Sequence, residues 1–494
     1  MRIAVACVLL VSIAVAQFEN RPAGLPMDTL ATVGTHRISA KDFLERFELM
    51  PWPNRDKQSR IERTKLEFLH SLVAEKLLAM EAAAQNVGID STTVNYQNSL
   101  ERLFVRDEYY KREVVSRIEI APEETRAGMK RFTTEIETEV IALPSKKGGE
   151  TLYKKIQRSR NKKSAVHAAI DSLSLPVDTV TITYGFPEIP IEDAVFALGK
   201  DSVSAPIESG QFGWVMFRLL HRSTNVENAK FSIPDRMHKV NEIIRGRKED
   251  SLAIRIFAAV TSNQHAEANP NIFYPLADTI IRMMYADSNS FHTQSGYQFH
   301  SLAVDQLNEK MKGVLNESFI TISSGDMTLQ DVLSSLSSMN MTFPEPLDSG
   351  RIRMVLNGNI KIAIQNELLA REGYKMNLHQ SGEVRHDLSV WMDNFKSKLL
   401  LREIIDTLRN SADSMQQKQL NEYIQRGIDA YIGTLAKKYT VTVNEAALKA
   451  IRTTTINMVT WRNLGFGGRI FAVPQTHPQY EWKNEWKKQE NINQ

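Results

Sequence analysis

The chain has 494 residues, more than one ordinary domain, and its 42% hydrophobic and 24% charged residues exclude wholesale disorder. The 61 basic residues nearly balance the 58 acidic ones, for a net charge of +3, which disfavours nucleic-acid binding through phosphate neutralisation. The single cysteine, Cys7, excludes a disulfide scaffold, a cysteine-based zinc site and an iron–sulfur cluster.

Residues 1–16 have the pattern of a secretory signal peptide. Arg2 precedes an unbroken apolar run, and the run ends in an A-x-A cleavage site at residues 14–16. A membrane anchor is the alternative, but the run is shorter than the roughly 20 residues that span a bilayer. A lipid on Cys7 is disfavoured because too few residues precede it to form the apolar region of such a signal. We therefore expect an exported, periplasmic protein without cysteine, stabilised by packing alone and with no transmembrane segment after cleavage.

Residues 17–134 are predicted to form a first helical module. Ser39 and Asp42 have the spacing of a capping box at the start of a helix. Gly88 ends a long helix, and Pro122 with two glutamates begins a later one. The long helix has one apolar face at spacings of three and four, formed by Leu66, Leu69, Val73, Leu77 and Met80.

Residues 135–223 are predicted to form a small α/β domain. The pattern indicates strands at 139–143, 177–184 and 213–220, and helices at 151–173 and 191–198. A helical connecting region is expected at 224–310, and a polar tail at 481–494.

Residues 311–480 are predicted to be a second helical module that repeats the first. Asp331 of a second capping box lies 331 − 42 = 289 residues after Asp42, and residues 366–370 match 75–79 at an offset of 291. A shorter similarity links residues 257–276 to 431–451. A module used twice suits clamping a long, irregular client better than holding one small molecule.

The sequence offers no catalytic residue, metal site or cofactor site. It has no H-E-x-x-H and no G-x-S-x-G motif, and His292, His300, His379 and His386 are scattered in polar segments. The glycine-rich residues 465–468 are followed by no helix of a βαβ unit, so a turn is expected there.

One segment carries a specific resemblance. Residues 191–198 (IEDAVFAL), 202–209 (SVSAPIES) and 212–219 (FGWVMFRL) resemble the end of the parvulin-type, PpiC-like peptidyl-prolyl isomerase domain. In that family an A-x-F-A-L helix precedes a V-S-x-P-[VI]-x-[ST] turn and a G-[YW]-H-I-I strand. Residues 33–43 and 75–89 also resemble the helical chaperone part of the SurA, PpiD and PrsA proteins.

The isomerase motif is incomplete in this sequence. The family's first strand carries a histidine, but residues 138–141 are Thr-Glu-Val-Ile, and the position of its second histidine is Val215. The resemblance therefore implies a degenerate domain whose isomerase activity is weak or lost. The apolar wall of a groove could persist, with Phe196, Phe212, Trp214 and Met216 as candidates. Strand alternation places Trp214 and Met216 on the opposite face from Val215, and the alternative is that all are core residues.

The expected fold class is α+β, with mainly helical chaperone modules that arise by duplication and one small inserted parvulin-like α/β domain. The resemblance implies a periplasmic folding factor for unfolded or nascent exported clients, including outer-membrane proteins. Two alternatives stay open: an active isomerase with non-standard groove residues, and a structural component of envelope assembly. The near-zero net charge leaves apolar contact as the expected main source of client affinity.

Overall fold

The computed structural model describes residues 29–200, 202–293, 296–299, 301–337, 341–412, 415–455 and 473–484. The described residues divide into two compact units: the first lies within the ranges 1–113 and 256–494, and the second lies within the range 114–255. The signal peptide, the turn at 465–468 and the tail beyond Asn484 lie outside the described residues. Helices dominate and small sheets complete both units, so the predicted α+β class is confirmed. Each helix in the described ranges is too short or too polar to cross a membrane.

The first unit begins with a hairpin and three helices. The hairpin strands are β1 (Thr29–Val33) and β2 (His36–Ser39), and the helices are α1 (Ala40–Glu48), α2 (Ile61–Ala84) and α3 (Ser91–Glu113). The predicted capping box begins α1. Ser39 Oγ accepts the Asp42 N–H, and the Asp42 carboxylate accepts the Ser39 N–H, both at 3.1 Å.

The second unit contains one antiparallel four-stranded sheet in the order β4-β3-β6-β5. Its elements are α4 (Pro122–Phe132), β3 (Thr134–Ala142), α5 (Lys146–Arg158), α6 (Lys162–Leu173), β4 (Val177–Thr183), α7 (Ile189–Phe196), β5 (Ile207–Ser209), β6 (Gly213–Thr224) and α8 (Val226–Ala229). The predicted strands and short helix are confirmed. The helical stretch predicted at 151–173 is two helices, because Asn161 Oδ1 accepts the Ser164 N–H and caps a new helix.

The chain then passes through α9 (Ile233–Thr261) and continues in the first unit. The helices are α10 (Pro270–Ala286), α11 (Ser288–Phe291), α12 (Ser301–Met311), α13 (Leu329–Ser337), α14 (Ser349–Lys375), α15 (Gly382–Asn410), α16 (Gln417–Lys438) and α17 (Glu445–Ala450). The strands are β7 (Ala266–Ala268), β8 (His292–Thr293), β9 (Gly296–Phe299), β10 (Ser318–Ile322), β11 (Met327–Thr328), β12 (Met341–Phe343) and β13 (Val441–Val443). They form sheets in the orders β13-β1-β2, β11-β10-β7 and β12-β9-β8.

The first unit contains the same series of elements twice. The first copy is β1-β2-α1-α2-α3, and the second copy is β10-β11-α13-α14-α15. Thr328 and Asp331 repeat the capping box. The Thr328 N–H donates to the Asp331 carboxylate at 2.9 Å, and the Asp331 N–H donates to Thr328 Oγ1 at 3.1 Å. Asn86 and Asn377 follow the two long helices, and both have a φ of 58°. Their separation of 377 − 86 = 291 residues equals the offset that relates residues 75–79 to residues 366–370 in the sequence.

The shorter similarity supplies the third strand of each copy. β13 pairs with β1, and β7 pairs with β10, both antiparallel. The residue after each of these strands is an asparagine. The Asn444 N–H donates to the Leu30 carbonyl and the Asn269 N–H to the Phe319 carbonyl, both at 2.8 Å. Leu30 and Phe319 are themselves 289 residues apart, so the match extends to individual hydrogen bonds.

The last long helix of each copy packs on the other copy. Helix α15 lies against α2, and α3 lies against α14. Leu400 of α15 joins the core of the first copy, while Val105 and Tyr109 of α3 pack with Leu369 of α14. A side chain at Gly373 would place its Cβ 2.6 Å from Val105, so glycine permits this close approach. The exchange of helices explains why the two copies form one compact unit.

Candidate functional site

The sheet of the second unit is covered on both faces. Val215 is fully buried and packs with Phe217 and Val195 beneath α7. Met216 is also fully buried, but it packs on the opposite face with Leu152 and Ile156 of α5. The alternation agrees with the sequence prediction. Met216 is nevertheless a core residue rather than a groove residue, because helices seal the face towards which it points.

Phe196 is covered by elements from outside the expected domain of residues 135–223. The Arg131 guanidinium of α4 lies over its ring at 5.2 Å from the centroid. The same ring packs against a core that α4 and α9 share, which includes Phe132 and Val240. Phe196 therefore lines no open groove.

Phe212 and Trp214 are the more accessible candidates. Phe212 is 46% exposed, and Trp214 is half-buried with Lys146 Nζ at 5.4 Å from its ring centroid. The structure does not bring the four predicted groove residues together. Phe196 and Met216 lie in different cores, so only Phe212 and Trp214 remain as accessible candidates, and these two side chains do not form an apolar groove by themselves.

The positions of the missing histidines hold no polar network. Thr138 is fully buried and donates its hydroxyl to the Val180 carbonyl at 3.1 Å. Glu139 accepts a hydrogen bond from Arg218 Nε at 2.7 Å, directly across the strands. Val215 contributes only apolar contacts at the second position. These contacts hold β3, β4 and β6 together, and they engage the polar side chains of Thr138 and Glu139 within the sheet.

A buried carboxylate that sequence reasoning missed holds α7 in place. Glu192 is fully buried, and its Oε2 accepts the N–H groups of Gly185 and Phe186 at 2.8 and 3.0 Å. Arg247 of α9 binds both of its oxygens, and Arg131 of α4 lies 3.6 Å away. A glutamate amid the apolar residues of a short helix was the available signal. This cluster fixes α4 and α9 over α7, where they cover Phe196.

The first unit contains a wide cleft of about 870 Å³. It lies between α3 and the second copy, with α13 and α14 as walls and residues of α12 and α15 at its margins. Arg102, Arg106, Lys312 and Arg402 balance Asp305, Glu309, Asp331 and Glu367 in its lining, so the cleft has no net formal charge. Apolar side chains such as Leu103 and Phe395 alternate with these polar groups.

The charged groups on one wall are paired. Arg102 donates to Asp331 at 2.8 Å and to Glu367 at 3.5 Å. Burial alone would lower the pKa of Arg102, but the charges of Glu367 and Asp331 outweigh it and raise that pKa. Burial also raises the pKa of the Asp305 carboxyl. The wall is therefore a set of fixed hydrogen-bonding groups rather than a field of one sign.

Two amide side chains of the lining have acceptors without partners. Asn366 is only 8% exposed, and its Oδ1 has no hydrogen bond within the described residues. Asn308 Oδ1 has none there either. Buried acceptors usually have partners, so these two oxygens point to a ligand with N–H donors. In the described ranges, no three His, Cys, Asp or Glu side chains cluster as a metal site would require.

The chain has low sequence identity to the known proteins that it resembles. No family model matches the sequence, and no curated protein matches it. The chain is similar to the foldase protein PrsA from Streptococcus pneumoniae at 15% identity over 45% of this chain and 87% of that one, with a TM-score of 0.18. It is also similar to a structure of the SurA-like chaperones PEB4 and Cj1289 of Campylobacter jejuni, at 13% identity over 49% of this chain and 100% of that one, with a TM-score of 0.22. The similarity to the peptidylprolyl isomerase PrsA from Bacillus cereus has 12% identity over 47% of this chain and 90% of that one, with a TM-score of 0.21.

Proposed function

We propose that this protein is an exported folding factor that holds unfolded polypeptides in the cleft of the first unit. The observation that carries the proposal is the cleft itself, which is wide, balanced in charge and lined by unpartnered acceptors. The signal-peptide pattern of residues 1–16 supports a periplasmic location. Unfolded or nascent exported proteins, including outer-membrane proteins, are the clients that such a location provides.

The second unit has no prolyl isomerase activity under this proposal. The peptide bond has a rotation barrier of about 18–20 kcal/mol, and lowering it for an X-Pro bond requires a groove that favours the twisted amide. Arg131 covers Phe196, and Met216 lies in the core, so the walls of such a groove are missing. The unit would then keep the parvulin-like fold that the resemblance implies and serve as a scaffold.

The cleft also changes the expected source of client affinity. The sequence favoured apolar contact, whereas the lining mixes apolar side chains with hydrogen-bonding groups of both charges. Many weak contacts of both kinds would then hold a client without selecting one sequence.

Two assays test the proposal with the full-length protein. Suppression of aggregation of a chemically denatured protein is expected at a few-fold molar excess, whereas no suppression would favour a structural role in the envelope. Isomerisation of a proline tetrapeptide is expected to proceed at the uncatalysed rate. Turnover that is lost on substituting Phe212 or Trp214 would instead support an isomerase with non-standard groove residues.

A further inference from the structure

The chain's own C-terminal segment, Val473–Asn484, lies against the first copy. Arg46 Nη2 donates to the Pro474 carbonyl at 2.8 Å, and Asn394 Nδ2 donates to the Gln475 carbonyl at 3.0 Å. The Gln479 N–H donates to Ser71 Oγ at 3.0 Å. These three contacts all use main-chain groups of the segment. These three contacts therefore do not depend on the side chains that the segment carries at Pro474, Gln475 and Gln479, whereas the buried Trp482 side chain anchors its end.

The surface under this segment is built on one buried ion pair. Glu75 accepts from Arg46 Nη1 and Nη2 at 2.5 and 2.9 Å, and from Asn394 at 2.5 Å. Trp482 is fully buried beyond it and belongs to the core of the first copy. A small pocket of about 20 Å³ lies between the segment, α2 and α15. The first copy therefore has a cleft that the chain itself fills.

The open cleft is the equivalent surface of the second copy. At the offset of 289 residues Arg46 corresponds to Ser335, and at 291 Glu75 corresponds to Asn366 and Leu103 to Asn394. Ser335, Asn366 and Leu103 all line the open cleft. Because α3 and α15 are exchanged between the copies, each surface has one wall from the other copy. Helix α15 lies against α2 of the first copy, and the equivalent α3 lies against α14 of the second. Where the first copy has an ion pair and a bound segment, the second has two short polar side chains and about 870 Å³ of space.

We propose that the cleft of the second copy binds an extended segment of another polypeptide through its main chain, as the first copy binds Val473–Trp482. This inference rests on the proposed function, because it states how the same cleft holds its client. The unpartnered Asn366 Oδ1 accepts a main-chain N–H, and cations of the lining such as Arg402 and Lys312 donate to main-chain carbonyls. The balanced charge of the lining makes the site tolerant of client sequence.

The correspondence can be tested by converting the open cleft into the filled one. The probe is a fluorescein-labelled peptide of residues 473–484, and its binding to the full-length protein is measured by fluorescence anisotropy. The variant combines Ser335→Arg and Asn366→Glu, which introduces into the open cleft an arginine and a glutamate at the positions equivalent to Arg46 and Glu75. We expect about tenfold tighter binding, because one charge-assisted hydrogen bond to the probe is added. The matched control, Gln417→Arg with Asn421→Glu, adds the same charges at two exposed positions of α16 and should leave binding unchanged.

A blocking pair locates the bound probe. Asn95 and Gln97 are both exposed on α3, but only Asn95 lines the cleft. In the converted protein, Asn95→Trp should abolish the gain and Gln97→Trp should preserve it. An equal gain in the α16 control, no gain, or a gain that survives Asn95→Trp would overturn the inference.

A second measurement decides the case if the converted protein does not fold. With the remaining residues unchanged, Asn95→Trp should bind reduced, carboxymethylated α-lactalbumin, a permanently unfolded chain, about tenfold more weakly than Gln97→Trp. Equal binding would overturn the inference. Suppression of aggregation that persists in Asn95→Trp would show that clients bind outside the cleft. The role as a folding factor would then stand, while the placement of clients in the cleft and this inference would both fail.

Discussion

Glu75 and Asn366 occupy the same position on two equivalent helices, but only Glu75 has its oxygens fully engaged. The Glu75 carboxylate accepts hydrogen bonds from Arg46 and Asn394, whereas Asn366 Oδ1 has no partner in the described part of the chain. One position of the repeat thus anchors the chain in the first copy and lines an open cleft in the second.

This difference predicts unequal costs for equivalent substitutions. Burial alone would raise the pKa of Glu75, but the charge and hydrogen bonds of Arg46 outweigh it, so its pKa is lowered and it stays charged. Glu75→Ala leaves Arg46 buried without its counter-ion and should cost about 3–5 kcal/mol in the free energy of unfolding. Asn366→Ala removes an unpartnered oxygen and should cost less than about 1 kcal/mol. Urea denaturation measures both, and equal costs would refute the contrast between the copies.

The C-terminal segment is predicted to stabilise the first unit. Trp482 is fully buried, and its Nε1 donates to the carbonyls of Gln479 and His70 at 3.0 and 3.3 Å. Trp482→Ala should therefore cost about 3–5 kcal/mol, the usual loss for a buried large aromatic residue. Trp214→Ala is the control, and it should cost clearly less because that ring is only half-buried. Thermal unfolding followed by circular dichroism would show the difference, and a loss for Trp482→Ala no larger than the control's would argue against a packed segment.

Restoring one of the two missing histidines is predicted not to restore isomerase activity. Val215→His would bury an imidazole beneath α7, in a core formed by Ile136, Val195 and Phe217. Its nitrogens would lack partners there, at a cost of about 1–3 kcal/mol. We expect a lower melting temperature and no acceleration in the proline-peptide assay. Trp214→His, at a half-buried position, should fold normally, and turnover by Val215→His would contradict the account of a closed groove.

The pair of His386 and Asp42 is predicted to make stability depend on pH. His386 Nε2 lies 2.9 Å from Asp42 Oδ1, and this hydrogen bond raises the pKa of His386 above 6.5 although burial opposes the rise. The nearby charges of Asp387 and Lys41 act in opposite directions. Because the folded-state pKa is the higher one, the pair stabilises fully below pH 6.5. Its contribution is lost as the pH rises through the folded-state pKa.

The corresponding experiment compares His386→Ala with the native chain at pH 5.5 and pH 8.5. Since the His386 side chain is 43% exposed, solvent screening limits the expected loss to about 1 kcal/mol at the lower pH, and almost nothing is expected at the higher. His167→Ala, which removes an exposed histidine on α6, is the control. A loss of the same size at both pH values would show that packing rather than charge is responsible.

Local patterns predicted the repeat, because capping boxes and apolar spacing depend on neighbours in sequence. Ser39 with Asp42 and Thr328 with Asp331 were identified in this way, as were the strands of the second unit. The exchange of α3 and α15 could not be predicted, because an apolar helix face does not specify which helix it contacts. The placement of Met216 failed for a related reason. Alternation gives its face of the sheet, but only the tertiary packing of α5 and α6 shows that this face is closed.

The most direct test of the account is photo-crosslinking from the cleft. A benzophenone amino acid is placed at Asn95, which lines the cleft, or at Gln97 on the other side of α3, and the full-length protein is irradiated with carboxymethylated α-lactalbumin. We predict abundant adducts from position 95 and few from position 97. Equal yields from the two positions, or no adduct from position 95 while the client is bound, would contradict the claim that the cleft holds unfolded polypeptides.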